Sequence, residues 1–113
     1  MHLLPSLRQK KRYVVFEILS DKKFSLPEIK IMVEEALNRF WGELGKAKAA
    51  PRFIEEKFNP ETQRFTIKVG HKYVDELKTA LILSKSIKNT PIIIRSITTS
   101  GILKKAGERL NLK

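Results

Sequence analysis

With 113 residues, 42% of them hydrophobic, the chain can bury one core, and its lack of cysteine excludes a disulfide framework, a thiolate zinc site and a cysteine nucleophile. No apolar run approaches the ~20 residues needed to cross a bilayer, so we expect a soluble, cytoplasmic protein. The formal net charge of +11 is typical of proteins that bind nucleic acid and, less often, of proteins that meet an anionic membrane surface.

The segment 1–11 has little periodicity, and we expect a basic flexible arm in front of a single domain at 12–113. The first predicted strand runs from Arg12 to Leu19, because β-branched and aromatic residues dominate it. Both of its faces must be covered or used, which predicts a central strand. Alternation places Val14, Phe16 and Ile18 on one face and Tyr13, Val15, Glu17 and Leu19 on the other.

A first helix is predicted after this strand. Ser25 and Glu28 have the spacing of a capping box, and Pro27 is tolerated in a first helical turn. Apolar residues then recur at helical spacing up to Gly45, which is the predicted stop. The predicted buried stripe consists of Leu26, Ile29, Val33, Ala36, Leu37, Phe40 and Leu44.

The remaining elements follow in the order strand, strand, helix, strand, helix. Alternation predicts a second strand from Arg52 to Phe58 and a third at 64–69, joined by turn residues at 59–63. A second helix is predicted from about Tyr73 to about Lys88, followed by a strand at 92–98. Thr99 or Ser100 can cap a short terminal helix at 102–110.

This order is the split βαβ pattern of ferredoxin-like folds, so we predict an α/β (α+β) sandwich with an antiparallel sheet and a C-terminal helix. The same topology occurs in the RRM, which stacks RNA bases on aromatic side chains of strands one and three. Strand three has no aromatic residue on the face away from the helices, which argues against such a platform and leaves Tyr13 as its only candidate. We expect the terminal helix to cover part of that face through Ile102, Leu103 and Leu110.

Positive charge concentrates at the two ends of the chain. The excess of Lys and Arg over acids is +4 up to Lys23, +1 from Phe24 to Leu83 and +6 thereafter. Strand four is expected antiparallel beside strand one, which brings both basic ends together in one phosphate-binding site. Solubilising charge on two tails is the alternative. The predicted RNA-binding residues are Arg8, Lys10, Lys11, Arg12, Lys68, Lys72, Arg95, Ser100, Gly101, Lys104, Lys105 and Arg109.

No catalytic residue, metal site or bound cofactor is predicted. His2 lies in the arm and His71 at a turn, and neither has metal-ligand spacing to another donor. Acylphosphatases share the topology but cradle an anion in a glycine-rich loop after strand one. The corresponding segment here, 20–25, has no glycine, which argues against that activity.

Three apolar residues are candidates for a protein interface. Trp41 lies beside the centre of the first helix's stripe, where it either flanks the core or anchors a partner. Ile82 and Leu83 fall outside the stripe of the second helix, so either a partner protein or another part of this chain covers them.

Four segments in order resemble the archaeal Pop-five family, the family of ribonuclease P protein component 2. They are Lys11 to Ile18, Phe58 to Thr62, Ala80 to Leu83 and Ser100 to Lys105. The family has an arginine-rich segment after the third strand, where this chain has Val69 to Tyr73, so Lys68 and Lys72 are expected to substitute in part.

The resemblance implies an RNA-binding subunit of the ribonucleoprotein that removes the 5′ leader from precursor tRNA. The RNA would hold the Mg²⁺ ions and perform the hydrolysis, so the isolated protein would have no activity. The resemblance also implies that a barrel-shaped protein subunit is a partner, and it allows a homodimer within a heterotetramer. No membrane partner is expected. A ribosomal or other RNA-scaffold protein, and a protein-interaction module with a basic surface, remain the alternatives.

Overall fold

The computed structural model describes residues 10–101, so the greater part of the predicted arm, the predicted terminal helix, and Arg8, Lys104, Lys105 and Arg109 lie outside the described residues. Four strands form an antiparallel sheet in the order β2-β3-β1-β6, with two helices on one face, and β4 and β5 form a separate hairpin. This confirms the ferredoxin-like α+β architecture and the central position of the first and third strands. The elements are β1 (Lys11–Leu19), α1 (Leu26–Ala49), β2 (Arg52–Phe53), β3 (Arg64–Gly70), α2 (Val74–Ile82), β4 (Ser86–Ile87), β5 (Thr90–Pro91) and β6 (Ile93–Ser100).

The hydrophobic core lies between the sheet and the helices, as the alternation of β1 and β3 predicts. Phe16 stands opposite Phe65 in the ladder, and their rings stack at 5.5 Å between centroids. Phe53 of β2 stacks on the other side of Phe65, also at 5.5 Å. Ile29 and Leu77 are fully buried beneath α1 and α2. Burial of this much apolar surface is the main source of the fold's stability.

The predicted capping box of α1 is confirmed. The backbone N–H of Ser25 donates to Glu28 Oε1 at 2.9 Å, and the Glu28 N–H donates to Ser25 Oγ at 3.5 Å. These bonds satisfy two donors that a helix start otherwise leaves unpaired. The Ser25 backbone N–H, together with the Ser25 hydroxyl, which donates to the same oxygen at 3.0 Å, holds the pKa of the Glu28 carboxyl below its ordinary value.

The predicted end of α1 at Gly45 is wrong. The helix breaks at Gly42, whose φ of 69° suits glycine, and then continues through Gly45 to Ala49. The break redirects the chain after Gly42 and leaves Leu44 81% exposed instead of buried as predicted. Phe40, which lies before the break, was also predicted to be buried and is 40% exposed. Met32, outside the predicted stripe, is buried.

Two other predicted boundaries are wrong. The second strand ends at Phe53, because the chain turns into a single 3-10 turn at Glu55–Lys57. The second helix ends at Ile82, and the following residues form the β4–β5 hairpin. Lys88 and Asn89 both have positive φ, as the mirror-image two-residue hairpin turn requires, and this turn directs Ile87 into the core.

A β-bulge interrupts the pairing of β6 with β1. Ser96 stands opposite Phe16 and Thr98 opposite Val15, so β6 contains one extra residue, Ile97. Ile97 packs on Val15, on the face away from the helices. The last strand was predicted at 92–98, and it is confirmed with an extension to Ser100.

Candidate nucleic-acid interface

The sheet face opposite the helices, here called the outer face, is built from three rows of side chains that cross the strands. The row at one end joins Arg52, Lys68, Tyr13 and Ser100, which stand opposite one another on β2, β3, β1 and β6. The middle row joins Thr66, Val15 and Thr98. The row at the other end joins Arg64, Glu17 and Arg95.

The first row lies at the end of the sheet where β1 begins. Lys68 Nζ lies 5.8 Å from the centre of the Tyr13 ring, within range of a cation–π interaction. This contact holds an ammonium group on the outer face and occupies one side of the one aromatic ring that β1 offers there. The outer face of the described residues therefore presents cations rather than a pair of free stacking rings.

Further cations surround this row and form what we call the basic end, consisting of Lys10, Lys11, Arg12, Arg52, Lys68 and Lys72. The N–H of His71 donates to the Lys10 carbonyl at 2.8 Å, which brings the start of β1 to the end of β3. The end of β6 also lies beside the start of β1, because a Cβ added to Gly101 would be 3.5 Å from Arg12 Nη1. The ladder geometry thus brings together residues from distant parts of the sequence.

Acidic side chains do not neutralise the basic end within residues 10–101. The ion pairs of the described residues involve Lys30, Lys46, Arg64, Lys88 and Arg95, none of which belongs to it. Unpaired cations at one place attract a polyanion more strongly than the same charges spread over a surface.

The predicted RNA-binding residues are only partly brought together. Lys10, Lys11, Arg12, Lys68 and Lys72 share the basic end, with Ser100 and Gly101 beside them, whereas Arg95 lies in the opposite row. Their role as RNA contacts stays a prediction. Sequence reasoning missed Arg52, and its signal was present in the expected antiparallel pairing of strands two and three, which places an early residue of β2 beside a late residue of β3.

The opposite row contains an ion network in which Glu17 and Arg64 are buried and Arg95 is exposed. Glu17 accepts hydrogen bonds from Arg64 Nε and Arg95 Nε, each at 2.8 Å. Burial opposes ionisation of this carboxyl, but the hydrogen bonds and charges of the two arginines outweigh it and hold the pKa of Glu17 below its ordinary value. Glu17 therefore remains ionised at neutral pH.

The middle row is closed to solvent at two of its three residues. Val15 and Thr66 are fully buried although they face away from the helices, and Tyr13 and Ile97 pack on Val15. The Thr66 hydroxyl has no hydrogen-bond partner among the described residues. The predicted cover from the terminal helix concerns residues outside the described range.

The predicted protein-contact residues differ in exposure. Trp41 is half-buried, donates from Nε1 to Glu76 Oε1 at 3.0 Å and packs edge-on against Tyr73, so it joins α1 to α2. Ile82 and Leu83 are 52% and 62% exposed. Leu83 also lines a cleft of about 160 Å³ between the helices, together with Ala36, Arg39, Phe40, Ala80 and Ser84.

Metal-ligating side chains do not cluster in the described part of the chain. Within residues 10–101, no three His, Cys, Asp or Glu side chains come together as a metal site would require. In the same range, no helix is both long enough and apolar enough to cross a membrane.

The model of the Rpp14/Pop5 family matches residues 12–111, nearly the whole chain. The chain belongs to the Rpp14/Pop5 family. Its similarity to ribonuclease P protein component 2 of Pyrococcus abyssi is 41% identity over 103 residues, covering 91% of this chain and 86% of that protein. The same component from Thermococcus kodakarensis is 38% identical over 104 residues, covering 92% and 85%. The resemblance stated from the four sequence segments is thereby confirmed.

A solved structure supports the fold of this Rpp14/Pop5 family member. A chain in the cryo-EM structure of yeast ribonuclease MRP superposes with a TM-score of 0.65 at 16% identity, covering 90% of this chain and 92% of that one. The curated relatives are archaeal ribonuclease P protein subunits.

Proposed function

We propose that this chain is an RNA-binding protein subunit of ribonuclease P that supports removal of the 5′ leader from precursor tRNA. The observation that carries the proposal is the basic end, whose six cations have no acidic partner within residues 10–101, in a member of the Rpp14/Pop5 family. Such a cluster contacts phosphates and positions a protein on structured RNA without reading bases. The RNA would hold the Mg²⁺ ions and carry out hydrolysis in the cytoplasm.

A filter-binding titration of the chain with ribonuclease P RNA at several salt concentrations tests this proposal. The logarithm of the affinity should fall linearly with the logarithm of the salt concentration, because binding releases counterions from the RNA. Six phosphate contacts give a slope of magnitude roughly 4 to 5. A salt-independent or undetectable affinity would overturn the proposal and favour the alternative, a protein-interaction module with a basic surface.

The proposal includes a second partner, a barrel-shaped ribonuclease P protein subunit, and a homodimer of this chain within a heterotetramer. Its support is the group of exposed apolar side chains on the helical side, Phe40, Leu44, Ile82 and Leu83. Apolar and aromatic residues in the centre of an interface supply most of its binding energy.

The double substitution Ile82→Ser and Leu83→Ser should weaken binding of the barrel-shaped subunit by about 30-fold, because losing a central anchor costs about 2 kcal/mol or more. Isothermal titration with the purified subunit measures this. The melting temperature should change little, since both side chains are more than half exposed. Ile31→Ser with Ile93→Ser is the matched control, because these residues are 58% and 65% exposed elsewhere on the surface. A large fall in melting temperature would assign Ile82 and Leu83 to the core instead.

A further inference from the structure

The ion network on the outer face contains more positive charge than its carboxylate can neutralise. The side chains of Glu17 and Arg64 are 9% and 4% exposed and form a nearly dry pair, with Arg64 Nε 2.8 Å from Oε2. Arg95 adds a second guanidinium on the other oxygen, with Nη2 2.6 Å and Nε 2.8 Å from Oε1. The trio thus has a net charge of +1, and the excess lies at Arg95, whose side chain is 56% exposed.

The contacts of Arg95 fix its guanidinium plane. Two of its nitrogens are held on a single carboxylate oxygen, and Glu17 itself is fixed by Arg64. Nη1 of Arg95 makes no hydrogen bond within residues 10–101, so one edge of the group remains available to a ligand. A planar, oriented guanidinium edge matches the oxygens of a phosphate, and a side chain that is already ordered loses less entropy when it binds.

We propose that Arg95 binds a backbone phosphate of the RNA on the outer face, and that Glu17 is a positioning residue which holds Arg95 for this contact. The inference rests on the proposed function and adds a second contact region to it. Glu17 and Tyr13 are four residues apart on β1, which separates the Arg95 row from the basic end by about 13 Å. One RNA strand can therefore reach both rows across the closed middle row.

The role of Glu17 has an unusual consequence. Glu17→Gln raises the net charge of the protein by one, so simple attraction to a polyanion would become stronger. We expect weaker binding instead, because the neutral amide holds Arg95 less firmly than the carboxylate does. RNA binding should therefore weaken by severalfold when this acid is removed.

A double-mutant cycle tests both parts with ribonuclease P RNA in filter-binding titrations at several salt concentrations. Arg95→Ala should weaken binding about tenfold and reduce the magnitude of the salt slope by about 0.7 to 0.9, the value of one phosphate contact. Glu17→Gln should have no further effect in the Arg95→Ala background, because it acts through Arg95. Lys22→Ala, which removes an exposed cation from the loop after β1, is the control and should change the affinity less.

Folding must be separated from positioning, because Gln at position 17 removes the carboxylate that pairs with the buried Arg64. The variant Glu17→Gln with Arg64→Gln removes that charge and should bind RNA as weakly as Glu17→Gln, with a melting temperature that confirms its fold.

Several outcomes overturn the inference. One is unchanged RNA affinity of Arg95→Ala while the wild-type chain binds with a strong salt dependence, which leaves the proposed function standing. Another is unchanged or tighter binding by the folded glutamine variants. Loss of binding to polyglutamate but not to RNA would assign Arg95 to an acidic protein partner. If the wild-type chain itself does not bind RNA, the proposed function fails first.

Discussion

Replacing Lys10, Lys11, Lys68 and Lys72 by glutamine should reduce the magnitude of the salt slope for binding ribonuclease P RNA by roughly 3, because each neutralised phosphate contributes about 0.7 to 0.9. At 0.1 M salt the affinity should fall on the order of 10³-fold if the 1 M intercept is unchanged. The four ammonium groups all belong to the basic end and have no acidic partner within residues 10–101. Filter binding across a salt series measures both quantities.

The control for this variant removes the same charge elsewhere. Lys22, Lys23, Lys78 and Lys85 lie in the loop after β1, on α2 and after α2, and their replacement by glutamine lowers the net charge equally. We expect a much smaller change of slope, because these lysines do not lie beside the first row of the outer face. Equal losses in the two variants would mean that the whole surface attracts RNA diffusely and that the basic end has no special role.

Phe65→Ala should lower the free energy of unfolding by about 4 kcal/mol, since truncating a buried phenylalanine costs about 3 to 5 kcal/mol. The ring is fully buried and stacks with Phe16 on one side and Phe53 on the other, so its removal leaves a cavity between two aromatic neighbours. Urea denaturation followed by circular dichroism measures the change. The effect should appear in the midpoint and leave the slope with denaturant unaltered.

Phe40→Ala is the matched control for this substitution. Sequence periodicity places Phe40 in the core stripe of α1, whereas the structure leaves it 40% exposed with one edge-on contact to the Trp41 ring. We expect a loss below about 1 kcal/mol, which is the usual range for an exposed aromatic contact. A loss as large as that of Phe65→Ala would mean that Phe40 packs in the core, as the sequence periodicity predicts.

The central strands were predictable because their local and tertiary preferences agree. In β1, β-branched and aromatic residues favour extended chain, and period-two alternation assigns Val14 and Phe16 to the core without further information. The meeting of Lys11 and Arg12 with the end of β6 then follows from topology alone. The core-facing and outward-facing residues of β1 and the position of the basic end could therefore be predicted from the sequence.

The helix ends were not predictable, because several residues offer the same local signal. Gly42 and Gly45 are both plausible breaks in sequence, and the structure has the positive φ at Gly42. The segment after Ile82 has no β-branched run, yet Ile87 is drawn into the core and the chain turns at Lys88 and Asn89. The bond of Glu17 to Arg95 joins residues far apart in the chain and depends on strand register, which composition does not reveal.

Because of the bulge at Ile97, the number of residues between Arg95 and Ser100 decides whether these two side chains lie on the same face of the sheet. An odd separation of five would put these side chains on opposite sides of a regular strand, and the extra residue restores them to one side. A chain shorter by one residue in this stretch would have an even separation of four, which keeps both side chains on one side only if the bulge is lost with that residue. Among relatives, the bulge and the extra residue should therefore be kept or lost together, because no substitution of a side chain can repair the parity.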